Sequence, residues 1–502
     1  MNIQEAKQEI AHTLRAYLRK DADGSYLFPT VRQRPILLIG PPGIGKTAIM
    51  EQLAQECGVG LVAYTMTHHT RQSAIGLPRI AEKVYDGKAV SVTEYTLSEI
   101  VASIHEEMNR TGRREGILFL DEINCVSETL APTMLQLLQN KTFGNHKIPD
   151  GWILVAAGNP PGYNKSVREF DVVTLDRVRQ IQVEADLEVW LDYARARGVH
   201  GAIVSYLTMK ADRFYLVERQ EDQLSFVTAR GWEDLSELLK SYEALEIPVC
   251  ASLAAQYLCK DAIARDFSAY YQLYRKYGAD YGVTQLLQGA LSPEDYAEKT
   301  AMASSGSFEE RFTVVNLVLE QLQTGFSQYA REDAAVTQLH GALRQFLGQA
   351  QPFQAFVAAR RDSFEAKLKL GLLPAASVRT ERWVQERLEA MELSARQQRL
   401  SCGAALLEYL RRALQEDVQR RAALVSRLQA QLDRAFQWIS DCFGDGQEMV
   451  LLVSSLTRSP AAMDFIQQHG CAPYLRCSQA LLYRQQESQL QQACQELLQP
   501  NE

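Results

Sequence analysis

Two hydrophobic rhythms divide this chain. Up to about residue 185, short apolar runs bounded by turn residues alternate with segments whose apolar positions recur every three or four residues, the pattern of strands alternating with helices. Pro35 to Ile39, Gly116 to Leu120 and Trp152 to Ala157 are apolar almost throughout, which predicts strands buried on both faces of a parallel sheet. The first twenty residues have a helical rhythm instead. Ala81–Tyr85 and Lys88–Tyr95 flank an Asp86-Gly87 turn and predict a hairpin, and residues 139–151 predict a second. Beyond Glu184 the strand signals give way to helical ones. EADLEVWLDYARA, HGAIVSYLTMKADRFYLV, ARGWEDLSELLKSYEAL and, further on, FEERFTVVNLVLEQLQTGF all repeat at helical steps. Leu407, Leu410, Leu414, Val418, Val425, Leu428, Leu432, Ala435 and Ile439 keep near-heptad spacing, predicting one long helix in a hairpin or bundle. The Gln-rich end from Gln485 reads as helical and then frayed.

At 502 residues the chain has room for two to four domains. A formal net charge of -8 excludes the electrostatic footprint of a protein whose main partner is nucleic acid or an anionic membrane. Nine cysteines, an odd number with no Cys-x-x-Cys, suggest neither a disulfide framework nor a zinc ribbon, and fit free thiols in a reducing compartment. The start lacks a basic flank followed by a continuous apolar stretch, and no later segment reaches membrane-spanning length. The expectation is a cytoplasmic protein.

The candidate chemistry lies where the apolar runs end. After the first, Gly40-Pro41-Pro42-Gly43-Ile44-Gly45-Lys46-Thr47 matches the phosphate loop G-x-x-x-x-G-K-[ST], with Ala48 continuing into the helix. Glycines let main-chain N–H groups curl round phosphate oxygens, and the following helix aims its positive end at the same anion. Lys46 would reach the β- and γ-phosphates of ATP, and the Thr47 hydroxyl would bind Mg²⁺. The second run leads into Asp121-Glu122-Ile123-Asn124, a Walker B arrangement with two carboxylates at a strand's C-terminal end. Asp121 would hold Mg²⁺ directly or through water, and Glu122 would orient and polarise the attacking water. The third run ends in Gly158-Asn159-Pro160-Pro161-Gly162, where the Asn159 amide can reach both γ-phosphate and water. Other features are weaker. His68-His69 has no ligand-spaced companion, Cys125 suits packing better than nucleophilic work, and Asn140-Lys141-Thr142-Phe143 lacks the Asp of a guanine-reading element.

These segments together resemble the AAA+ ATPases, specifically the MoxR and dynein-related branch. The resemblance rests on ILLIGPPGIGKT, on GILFLDEINCVSETLAPTMLQLLQNKTFGNHKIPDGWILVAAGNPPGY and on LDRVRQIQVEADLEVWLDYA, and covers roughly residues 30–240. It implies an α/β P-loop NTPase core with a five-stranded parallel sheet over 1–185, an α-helical lid over 186–290, and a mostly helical region over 291–502. It also implies a ring, usually of six subunits, with ATP sites between neighbours. By position, Arg177 resembles the finger given to the next subunit's γ-phosphate, a task that suits guanidinium. Relatives commonly have Phe after this Arg, whereas Val178 and then Arg179 follow here, so both arginines stay open. Arg230, with Thr228 as a helix N-cap, resembles the sensor 2 arginine that links lid position to nucleotide state, although Ala229 stands where relatives often have Pro. In that branch the first hairpin projects toward the ring's pore, which makes both hairpins candidate contacts for a substrate.

The resemblance implies an ATP-driven remodeller of a protein client, with a von Willebrand factor A protein as an expected partner. Two other readings are a McrB-like nucleic-acid motor, which the acidic composition opposes, and an ATP-gated scaffold with little turnover, which the intact Lys46, Asp121, Glu122 and Asn159 set opposes.

Overall fold

The computed structural model describes residues 1–480 except 69–74, 86–87, 144–145, 162, 164–166, 168–169, 221–222, 350, 371 and 401–402. The Asp86-Gly87 turn, His69, Gly162 and the Gln-rich end therefore lie outside the described residues. The chain forms two compact units, Met1–Trp190 with Phe214–Trp232, and Leu191–Arg213 with Glu233–Glu502.

The first unit begins with α1 (Ile3–Tyr17), β1 (Ile36–Ile39), α2 (Lys46–Cys57) and β2 (Gly60–Thr65). A ribbon of β3 (Pro78–Tyr85) and β4 (Lys88–Tyr95) precedes α3 (Glu99–Thr111), β5 (Gly116–Asp121) and α4 (Ala131–Asn140). The short pair β6 (Thr142–Phe143) and β7 (His146–Lys147) leads to β8 (Trp152–Gly158), α5 (Val172–Leu175) and β9 (Arg179–Gln182). Five strands form one parallel sheet in the order β2-β5-β8-β1-β9. Alternation along the strands divides their side chains between two cores. Leu37, Leu118 and Leu154 pack on one face with Ile104 of α3 and Leu137 of α4. Leu38, Phe119 and Val155, each one position further along, pack on the other face with Leu14 of α1 and Leu53 of α2. Each large apolar side chain so covered contributes about 1.5–3 kcal/mol, which explains why the three central strands carry almost no polar residue.

At the strands' starting edge, Gly60, Gly116 and Trp152 lie side by side in register. The fully buried Trp152 indole covers both glycines: a Cβ on Gly116 would sit 2.6 Å from it and one on Gly60 3.1 Å. The indole N–H has no hydrogen-bond partner among the described residues.

Next come α6 (Leu187–Arg197), α7 (Gly201–Met209), the antiparallel ribbon β10 (Leu216–Gln220) and β11 (Gln223–Val227), and α8 (Ala229–Ala244). The helix expected to run through HGAIVSYLTMKADRFYLV is thus shorter. It stops at Met209, and residues 216 onward turn extended because their apolar positions find cross-strand partners, Leu216 opposite Val227 and Val217 opposite Phe226.

The second unit is helical: α9 (Ala251–Tyr257), α10 (Asp261–Tyr281), α11 (Val283–Gln288), α12 (Pro293–Ser305), α13 (Phe308–Leu347), α14 (Phe353–Lys369), α15 (Ala375–Gln397), α16 (Ala404–Phe443), α17 (Gln447–Arg458) and α18 (Pro460–His469). Leu343 of α13, Phe356 of α14, Leu388 of α15 and Leu410 of α16 share one core. Along α16 the stripe holds at Leu410, Leu428, Leu432, Ala435 and Ile439, but elsewhere in its first half it is displaced by one residue. Leu406 and Asp417 are buried there, whereas Leu407 and Val418 are exposed. The inward seat is filled by the Asp417 carboxylate, bonded at 2.9 Å to Arg387 of α15. Among the described residues no single helix is long and apolar enough to cross a membrane. The bent pair α17 and α18 meets the length and composition only when joined across a 91° break.

Candidate nucleotide site

The site forms at the C-terminal ends of β1, β5 and β8, where parallel strands open toward the loops that follow. After β1, the loop from Gly40 to Gly45 winds into α2, whose first residue is Lys46. Gly43 has φ 75° and Gly45 φ 95°, left-handed values that favour glycine. Lys46 is buried, and its ammonium donates to the carbonyls of Gly40 (2.7 Å) and Pro41 (2.8 Å) and to Oδ1 of Asn159 (3.0 Å). Burial lowers its pKa to about 8; Asp121 and Glu122 pull the other way, and the charge of Arg230 adds to the fall.

Next to it the Thr47 hydroxyl donates to Oδ2 of Asp121 at 2.8 Å, joining the start of α2 to the end of β5. The other Asp121 oxygen accepts the Glu122 N–H at 2.9 Å. Glu122 itself has φ 55°, a left-handed backbone that a non-glycine residue adopts at some cost. Its carboxylate accepts from the Thr67 hydroxyl, just past β2, at 2.9 Å. Thr47 and Asp121 together offer a hydroxyl and a carboxylate oxygen side by side, a donor set that suits a hard cation such as Mg²⁺.

Asn159 is held by a residue two positions beyond Glu122. The buried Asn124 amide donates to the Asn159 carbonyl at 2.8 Å and accepts the Asn159 N–H at 3.3 Å, a two-point bracket on the main chain. Gly158 makes room for it, since a Cβ there would lie 2.6 Å from Asn124 Oδ1.

Phe214 to Trp232 belong to the same unit and reach the phosphate loop. Thr228 caps α8, its hydroxyl accepting from the Gly231 N–H at 3.2 Å. A Cβ added to Gly43 would lie 3.1 Å from Thr228 Cβ and 3.5 Å from Arg230 Cβ, so the exposed Arg230 stands beside the loop. Tyr215 donates its hydroxyl to the Pro42 carbonyl at 2.8 Å.

The two arginines after α5 differ. Arg179 is tied within the unit to Glu9 and Thr13 of α1. Arg177 is exposed, with no side-chain hydrogen bond or ion pair among the described residues, and Val172 and Val173 of α5 are exposed as well. Lys46, Thr47, Asp121, Glu122, Asn159 and Arg230 are therefore brought together, and Arg177 is not among them. Of the loop residues, Thr47 and Ala48 are exposed on the first turn of α2, and Pro41, Pro42 and Ile44 are half-buried.

Sequence reasoning missed Thr67, Asn124 and Tyr215. Asn124 stands within the DEIN run and was legible as a polar residue in an apolar setting. Thr67 and Tyr215 carry no local signal, because their partners lie 55 and 173 residues away.

Residues 35–178 match the family model described as AAA domain (dynein-related subfamily). The chain is also 30% identical over 104 residues to the ATP-dependent protease ATPase subunit HslU of Jannaschia sp. (strain CCS1). That likeness covers 20% of this chain and 24% of the relative, so the chain spans about a quarter of the curated relative it matches. Geometry and comparison agree on a P-loop domain of the dynein-related AAA type within residues 35–178.

Proposed function

We propose that this AAA domain hydrolyses ATP in an oligomeric ring of MoxR type, with six subunits as the expected number, and that the ring remodels a protein client in the cytoplasm. The observation that carries the reading is the meeting of Lys46 with Asn159, and of Thr47 with Asp121, within hydrogen-bond reach at the head of α2. Main-chain N–H groups of the loop and the Lys46 ammonium bind the polyphosphate, and Lys46 exchanges carbonyl and amide acceptors for phosphate oxygens of greater charge. Thr47 and Asp121 would hold Mg²⁺, which when bound supplies positive charge to the phosphate oxygens. Glu122, oriented by Thr67, takes a proton from the attacking water, and Asn159, fixed by Asn124, positions that water against the γ-phosphate.

Arg177 is the cation that serves the neighbouring subunit. Its exposure supports this role, and the bonds of Arg179 to α1 suit a structural one. Arg230, beside Gly43 and at the start of α8, reports bound nucleotide to the helices that follow. The β3–β4 ribbon, with Ile80 78% and Val84 71% exposed, offers an apolar surface to a client, and a von Willebrand factor A protein is the expected partner.

The test is Glu122→Gln. Nucleotide binding should persist while turnover falls by on the order of a hundredfold or more. Failure of the unaltered protein to bind any nucleoside triphosphate with magnesium present would refute the reading.

A further inference from the structure

The β10–β11 ribbon rises from two points that both touch the apex of the phosphate loop. Tyr215 precedes its first strand and Thr228 follows its second, and Leu216 pairs with Val227 at its base. One point is Thr228, whose Cβ would lie 3.1 Å from a Cβ added to Gly43, and the other is the Tyr215 hydroxyl bonded to the Pro42 carbonyl. Tyr215 is well anchored for this. The Trp232 indole N–H holds the preceding Phe214 carbonyl at 3.1 Å, and the Phe214 ring packs on Trp190 with centroids 5.2 Å apart.

The bond acts on the central peptide plane of a turn. Pro42 and Gly43 occupy the central positions of a turn, and φ 75° at Gly43 is the value that a type II turn requires there. Type I and type II turns differ mainly by a flip of this central peptide, and glycine at the third position tolerates either. The Gly40 and Pro41 carbonyls point in to Lys46, whereas the Pro42 carbonyl points to Tyr215. In a trans peptide the C=O and the next N–H are opposed, so fixing the Pro42 oxygen on Tyr215 turns the Gly43 N–H away from Tyr215.

We infer that Tyr215 is a positioning residue that pins the Pro42–Gly43 peptide so that the Gly43 N–H serves as a phosphate donor. The inference rests on the proposed ATP site and deepens it: a residue outside the phosphate-loop motif, at the root of the ribbon, sets the affinity of the loop. Loss of the hydroxyl leaves the peptide to sample both orientations, and bound nucleotide must then select one.

The experiment compares Tyr215→Phe with the unaltered chain, using direct titration with a fluorescent non-hydrolysable ATP analogue plus magnesium, saturating ATP turnover, and thermal melting. Affinity should fall about three- to tenfold, more than the saturating rate falls, with the melting temperature held. Tyr206→Phe serves as control. It removes a 2.7 Å bond to Asp266 within the helical unit and should lower melting while leaving analogue affinity unchanged. Unchanged affinity in Tyr215→Phe, with the unaltered chain binding the analogue, overturns the inference and leaves the ATP site standing. So does a parallel fall in affinity, rate and melting, which would mark a merely structural tyrosine. If the unaltered chain binds no analogue, the ATP-site reading itself fails, and this inference with it.

Discussion

Asn124 is the residue through which a small change would be felt most at the reacting end of the sheet. Gly158→Ala would drive a methyl into its amide, break the bracket on Asn159 and displace that side chain without touching Lys46. Turnover should fall on the order of ten- to a hundredfold with a smaller change in nucleotide affinity, as displacements of about 1 Å do elsewhere. Steady-state kinetics beside analogue binding checks this. Lys141 carries a buried charge away from the phosphate loop. It looked like part of an incomplete guanine-reading element, yet it is the C-cap that follows α4, is only 5% exposed, and donates to Gln33 at 3.2 Å. Burial lowers its pKa to about 8, Asp150 pulling it up and Lys147 adding to the fall. Between that value and the unfolded pKa near ~10.4 the unfolded chain holds more protons, so this group's contribution to stability rises with pH across the window. Below about 8 its full cost is felt. Lys141→Met should therefore add stability at pH 7, by about 3 kcal/mol at most, seen as a higher melting temperature, and the gain should fade as pH rises toward about 10. An equal gain at both pH values would contradict the burial argument. The phosphate loop and the Asp121–Glu122 pair were legible because each is contiguous in the chain. Thr67 and Tyr215 were not, because only the fold brings them to their partners.

Among elements, the strands were the most legible, since a run apolar on every residue can only be covered on both faces. Strand β9 was less so. At the sheet edge it buries Ile181 but exposes Gln180 and Gln182, leaving little apolar signal. The ribbon β10–β11 was missed, and the helical reading ran on to Val217, because Leu216 and Val217 show no strand character until their cross-strand partners are known. On α16 the stripe was right in its second half, and in the first half an ion pair displaced it. With Asp417 buried against Arg387, Asp417→Ala leaves the arginine unpartnered by that oxygen and should cost about 3 kcal/mol. Joint replacement, Asp417→Leu with Arg387→Met, should restore most of the loss, as read by chemical denaturation. A double variant as weak as the single one would mean that the pair is not the cause.

At the scale of the whole molecule, the proposal requires that one chain complete another's site. Arg177→Ala and Glu122→Gln should each be inactive alone. Mixed in equal amounts, they should regain turnover at about a quarter of interfaces, where an intact Glu122 faces an intact Arg177. Specific activity should also rise with protein concentration in step with oligomer size. Two inactive variants that stay inactive when co-assembled would place the finger elsewhere. The Trp152 indole spread over Gly60 and Gly116 gives a further handle on the entire sheet. Because its N–H bonds to no described residue, its contribution is one of shape. Trp152→Gly would carve a flat vacancy that free indole could refill from solution, making a protein whose folding is switched on by a small aromatic added to the buffer, from the edge of the sheet opposite the phosphate loop.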